Sequence, residues 1–312
     1  MPVRGALRLQ HRRVRPSASA GGAHRRGPGR VLARRPGAGG RVTADAVLSV
    51  EALVVEFRRR GRRSEPLRAL SEVSLEVRPE ETLALVGESG SGKTTLGRVL
   101  VGLQKPTGGK VRLHGAELGP VLRREFRRTR RKLQIIFQDP NGSLTPWQKI
   151  GDAIAEPLLV HGLVPDRRAA WDRVASLLDL VGLRPEHASR YPREFSGGQR
   201  QRIAIARALA LEPEILVCDE ITSGLDASVQ ARVINLLSDL RRQRRISYVF
   251  ITHDLHVART VSDRIAVMAG GRIVELGDAA EVFDRPQHPY TRRLLAAQPT
   301  LPAGNVMKGN KT

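Results

Sequence analysis

Cysteine occurs once in the 312 residues, at Cys218. A single thiol excludes an internal disulfide framework and any four-thiolate zinc or iron–sulfur site built by this chain alone. Aromatic residues make up 4%, which weakens any function that relies on many base-stacking platforms. No run approaches 18 consecutive apolar residues, so the sequence predicts no membrane-spanning helix. Acids are also scarce, with 31 Asp and Glu against 53 Lys and Arg, a formal net charge of +22. Hydrophobic residues, by contrast, reach 40%. That is too many for a wholly disordered chain and enough to build the core of one large or two small domains.

The charge is uneven. Residues 1–47 hold eleven Arg and one acid, Asp45, for a net +10, and are rich in Gly, Pro and Ala without helical or strand period. Such a composition buries too little apolar surface to offset its ordering entropy, so 1–47 is read as a disordered basic extension. A basic arm for nucleic acid or anionic lipid and a targeting peptide are the functional alternatives. Arg supplies 46 of the 53 basic residues and Met occurs only at 1, 268 and 307, which leaves open a later start such as Val42. Two more basic clusters follow. One spans Arg123 to Lys132. The other, Arg241, Arg242, Arg244 and Arg245, falls at a predicted helix end, where cations complement the dipole.

From Leu48 the texture changes to strand-like patterns, and Thr82–Gly87 (TLALVG) reads as a short buried parallel strand. Next comes Gly87-Glu88-Ser89-Gly90-Ser91-Gly92-Lys93-Thr94-Thr95, followed by a helix-compatible stretch. This is G-x-x-x-x-G-K-[ST] in its required setting of strand, loop and helix. The glycines let successive N–H groups face one concave point at a helix N-terminus, a ready site for phosphate. Lys93 is expected on the β- and γ-phosphates of ATP, and the Thr94 hydroxyl on Mg²⁺. A glycine-rich turn with a chance lysine is the bland alternative. The strand–helix setting argues against it.

A phosphate loop needs a second acidic site and a group for the attacking water. The strand Glu214–Cys218 leads into Asp219 and Glu220, expected to serve Mg²⁺ and to act as general base, respectively. Alone, two acids at a strand end would be unremarkable. Between the two motifs, Phe195-Ser196-Gly197-Gly198-Gln199 opens a predicted helix.

With that segment the chain resembles the ATP-binding subunits of ABC transporters, over about residues 48–298. Gln138 matches the family's Q-loop, Ser223-Gly224-Leu225-Asp226 its D-loop and His253 its switch histidine; Phe57 is a candidate for stacking on adenine. The resemblance implies an α/β P-loop NTPase core, with a mixed sheet, an antiparallel β subdomain and an inserted α-helical signature subdomain at about 139–211. It also implies that Ser196, Gly197 and Gly198 contact ATP bound to a second cassette in a head-to-tail dimer, and that Gln199 and Asp226 belong to the nucleotide-binding residues. His253 would hold the γ-phosphate and the water against Glu220, and Gln138 would reach Mg²⁺ or water. Ile221 and Gly224 depart from the residues common in the family but remove no ligand.

Residues 283–312 carry Phe283-Asp284-Arg285-Pro286-Gln287-His288-Pro289-Tyr290-Thr291, similar to the tail of peptide (dipeptide/oligopeptide) and nickel importer ATPases. That resemblance implies two permease subunits, a second ATPase subunit (paralogue or self) and an extracytoplasmic solute-binding protein. It places the chain at the cytoplasmic face of the membrane, with no nucleic acid expected. Trp171 is read as core packing, Trp147 as a possible face toward the partner and Cys218 as buried packing. A lone His288 is not read as a metal ligand. The alternative is a soluble ABC-type ATPase acting on DNA or ribosomes. Only 103 residues separate Lys93 from Ser196, with no sustained heptads and one signature in the sequence, which argues against it.

Overall fold

The computed structural model describes residues 46–57, 66–118 and 126–297. Nearly all of the basic extension, the start of the 123–132 cluster and the end of the tail lie outside them.

The chain enters through β1 (Leu48–Phe57) and β2 (Leu67–Val77), paired antiparallel from Leu48↔Val77 to Phe57↔Leu67. Val47 already joins this sheet, donating to Val77 O at 2.9 Å. Next come β3 (Thr82–Val86), α1 (Lys93–Leu100), β4 (Gly108–Leu113) and the two-residue β5 (Ala116–Glu117). These strands form an antiparallel sheet in the order β2-β1-β4-β5, with β3 assigned to a second sheet.

After α2 (Phe126–Lys132) and β6 (Leu133–Ile136), the chain runs through α3 (Pro140–Ser143), α4 (Ile150–Val160), α5 (Arg167–Leu180) and α6 (Gly197–Leu209). This is the helical insert that the resemblance implies, with residues 145–148 forming a turn. The core resumes with β7 (Ile215–Asp219), α7 (Ala227–Arg244), β8 (Ser247–Ile251), α8 (Leu255–Val261), β9 (Arg264–Ala269), β10 (Arg272–Asp278), α9 (Ala279–Asp284) and α10 (Pro289–Ala296).

The second sheet has the order β10-β9-β3-β8-β7-β6, parallel except for β10. Both of its faces are covered, which explains the apolar runs in place of strict alternation. In β3, Leu83 and Leu85 face a core shared with α1 and the antiparallel sheet, while Ala84 and Val86 face one shared with α8 and α9. In β7, Val217 joins the first core, whereas Leu216 and Cys218 pack under the helical insert. Cys218 is fully buried, as read, and its thiol is pushed far up by that burial and by Asp219.

Trp171 packs against the insert's core and donates from Nε1 to Asp152 Oδ1 at 3.2 Å. Trp147 is 81% exposed. The basic cluster falls at the end of α7, as expected, and three of its members also form ion pairs: Arg241 with Asp263, Arg242 with Asp239 and Arg245 with Glu80. Among the described residues, no helix is long and apolar enough to cross a membrane.

Candidate active site

In a parallel sheet the strands release their loops at one edge, where ligands gather. Here β3, β6, β7 and β8 deliver the 87–95 loop, Gln138, Asp219 with Glu220, and His253 in turn.

The loop is possible only with glycine at its start. Gly87 has φ 151°, and a Cβ there would lie 2.2 Å from the Met268 carbonyl oxygen of β9. Gly92 has φ 104°, with the Ala69 carbonyl 2.7 Å from where its Cβ would stand. Glu88, Ser89 and Gly90 form an exposed crest, with Ser91 buried and Thr94 and Thr95 half-buried at the head of α1.

Lys93 opens α1 and is 4% exposed. Its Nζ donates to Gly87 O and Glu88 O, both at 2.8 Å, and to Ser91 Oγ at 3.4 Å. The groups touching the ammonium are thus two carbonyls and a hydroxyl. Burial holds its pKa below the usual lysine range, while Glu220 and Asp219 oppose that through space. A desolvated cation with no carboxylate in contact suits an incoming anion.

Thr94 Oγ1 donates to Asp219 Oδ1 at 3.2 Å. Burial raises the Asp219 carboxyl; the Thr94 hydroxyl, Arg98 and Lys93 pull against it, and Glu220 adds to it. Thr94, Asp219 and the amide oxygen of Gln138 are all oxygen donors, the set a hard cation such as Mg²⁺ takes. These residues fit the ion.

Glu220 holds φ 48°, uncommon for a residue with a side chain, and its N–H donates to Ile251 O of β8 at 3.0 Å. Two groups converge on its Oε2: Gln138 Nε2 at 3.0 Å and His253 Nδ1 at 3.3 Å. His253 sits in the short link between β8 and α8. There Asp254 caps α8 by accepting from His256 N and Val257 N, and its own N–H donates to Thr252 Oγ1.

The family model for ABC transporters matches residues 70–223, and that for the oligopeptide/dipeptide transporter C-terminal region matches 274–311. The chain belongs to the ABC transporter family. It is 52% identical over 262 residues to the glutathione import ATP-binding protein GsiA of Escherichia coli K12, covering 83% of this chain and 42% of the relative; the Shigella flexneri protein of that name matches equally. This ABC chain therefore spans less than half the length of those relatives. Among solved structures, the dimeric ATP-binding cassette MJ0796 in a post-hydrolysis state with ADP and Pi aligns at 29% identity and TM-score 0.66, covering 74% of this chain and 98% of that one. The cbiO1 protein of Clostridium perfringens, part of a cbiONQ complex, aligns at 26% and 0.67, covering 77% and 92%.

The remaining predicted residues of this ABC chain stand apart from that cluster. Ser196 caps α6: its Oγ accepts from Gln199 N at 3.3 Å, and Gln199 Oε1 accepts from Ser196 N at 2.9 Å. Gly197 and Gly198 form the first turn of α6, where a Cβ on Gly198 would meet Val229 Cγ1 at 2.3 Å. Asp226 caps α7, accepting from Val229 N and Ser228 Oγ, which lowers its pKa. These caps bond locally. Phe57, 39% exposed, ends β1 opposite Leu67, on the strand whose Ala69 and Leu70 flank Gly92.

Two participants escaped the sequence reading. Arg98, one turn into α1, acts on Asp219, and Tyr290 of α10 accepts the Glu88 N–H at 3.1 Å. Helical spacing from Thr94 would have suggested Arg98; no local pattern suggests Tyr290.

Proposed function

We propose that this chain is the ATP-binding and ATP-hydrolysing subunit of an importer. The observation that carries the reading is the convergence of Gln138 and His253 on one oxygen of Glu220, beside the Thr94–Asp219 pair and the buried Lys93. In this reading Lys93 exchanges its loop carbonyls for phosphate oxygens of ATP. Mg²⁺, held by Thr94, Asp219 and Gln138, would supply positive charge against the phosphates. Glu220 takes the proton of the attacking water as the bond from the γ-phosphorus to its bridging oxygen breaks, giving ADP and phosphate. His253 and Gln138 orient its carboxylate.

Ser196, Gly197, Gly198, Gln199 and Asp226 lie at the heads of α6 and α7; they are proposed to complete the site of a second ATPase subunit, with Phe57 against adenine. Residues 48–282 would be the ATPase domain, its helical subdomain at about 139–211, with 283–312 a tail. Two permeases would dock on the insert beside the exposed Trp147, with a solute-binding protein beyond them, which places the chain on the cytoplasmic membrane face. The tail match and the GsiA relatives, named for import of a tripeptide, favour peptides over nickel as cargo.

Two measurements test this. Purified chain should hydrolyse ATP only with Mg²⁺. Cells lacking it should lose uptake of labelled peptide or glutathione but retain ⁶³Ni²⁺ uptake; the reverse pattern would reassign the cargo.

A further inference from the structure

The tail that marks this chain as peptide-importer-like also touches the nucleotide loop. The Glu275 carboxylate, on β10, accepts the N–H of Gln287 at 2.7 Å and of His288 at 3.1 Å, one on each oxygen. His288 then caps α10, its Nδ1 accepting the Tyr290 N–H at 3.1 Å. The Tyr290 ring packs on the cluster containing Val86, the last residue before Gly87. Tyr290 is thus held by backbone and ring, and its hydroxyl oxygen accepts the Glu88 N–H at 3.1 Å, across 202 positions of sequence.

That N–H belongs to the Gly87–Glu88 peptide unit, and the carbonyl of the same unit accepts Lys93 Nζ at 2.8 Å. The unit is gripped from both ends. Gly87, at φ 151° and without a side chain, puts little torsional restraint on it. When Lys93 moves to phosphate, the carbonyl grip is released and only the tyrosine grip remains.

We infer that Tyr290 is a positioning residue for nucleotide binding: its hydroxyl fixes the Gly87–Glu88 peptide so that the loop keeps its phosphate-binding shape once Lys93 lets go. This rests on the loop being the ATP site, as proposed above. Glu275 and His288 act one step further out, by placing Tyr290.

The test compares wild type, Tyr290→Phe and Lys93→Ala as full chains. Readouts are the ATP dissociation constant by equilibrium dialysis, KM and kcat for hydrolysis, and the unfolding midpoint. Tyr290→Phe keeps the ring packing and removes the acceptor. Loss of one net hydrogen bond corresponds to about a 3- to 10-fold rise in Kd and KM, with kcat within about twofold and an unfolding midpoint near wild type. Wild-type Kd and KM in Tyr290→Phe would overturn the inference, as would a fall in kcat or unfolding midpoint with KM unchanged. Lys93→Ala separates the two readings. If it loses ATP while Tyr290→Phe binds as wild type, only the tyrosine inference fails; if it binds ATP as wild type does, the loop assignment fails and the inference with it.

Discussion

The hydroxyl of Thr94 reaches the carboxylate of Asp219 at 3.2 Å, joining the head of α1 to the end of β7 across 125 positions of sequence. One member is a half-buried hydroxyl and the other a buried carboxylate, and in the proposed reading both offer oxygen to Mg²⁺. Thr94→Ala should raise the Mg²⁺ concentration for half-maximal hydrolysis by about tenfold or more, and chelation by EDTA should abolish turnover in both proteins. An unchanged Mg²⁺ titration would remove Thr94 from the metal site.

Glu220→Gln keeps the size of the side chain and removes its basicity. ATP affinity should stay within about threefold of wild type while hydrolysis falls by about 10² or more. With turnover blocked, ATP should hold two cassettes together, seen as a dimer in size-exclusion chromatography with ATP and a monomer without it. Wild-type turnover in Glu220→Gln would refute its role as base.

Lys93→Ala should separate binding from stability. The ammonium is desolvated and touches no carboxylate, and that desolvation offsets its three hydrogen bonds to the loop, so removing it costs the nucleotide-free protein little. The unfolding midpoint without nucleotide should be no lower than that of wild type, and Mg-ATP should raise the wild-type midpoint alone. A midpoint that rises in the mutant as well would count against the loop assignment.

Glu214 carries a pH-dependent share of stability. Burial pushes its carboxyl up, but Lys132, 2.7 Å away, and His114 pull it below the ordinary 4.5. A lowered acid stabilises the fold above its unfolded pKa, and that contribution fades as pH falls through the folded value. Urea midpoints should favour wild type over Glu214→Gln near about pH 6, and the gap should narrow progressively as pH falls below the ordinary carboxylate range. A gap that keeps its size as pH falls would show that charge is not its source.

Much of the site is legible in the sequence. The 87–95 loop and the segment opening at Ser196 are contiguous stretches that residue type and spacing suffice to find, and the loop's need for a second acidic site is what singles out the Asp219–Glu220 pair. Buried strands such as Thr82–Val86 show themselves as short apolar runs, because both faces of a parallel sheet are covered. The helical insert is legible through the family resemblance, while the turn at residues 145–148 is seen only in the structure.

The tertiary structure decided how these parts meet. Gln138 and His253 lie 115 positions apart, and only the order β8-β7-β6 brings both to one oxygen of Glu220. The ends of Lys93 and Tyr290 were likewise invisible beforehand: where an ammonium rests, or which amide a tyrosine hydroxyl meets 202 positions away, depends on strand register and helix packing. Local pattern carries residue chemistry and the period of an element. Contact between distant elements is set by how their faces fill a shared core, which no single segment records.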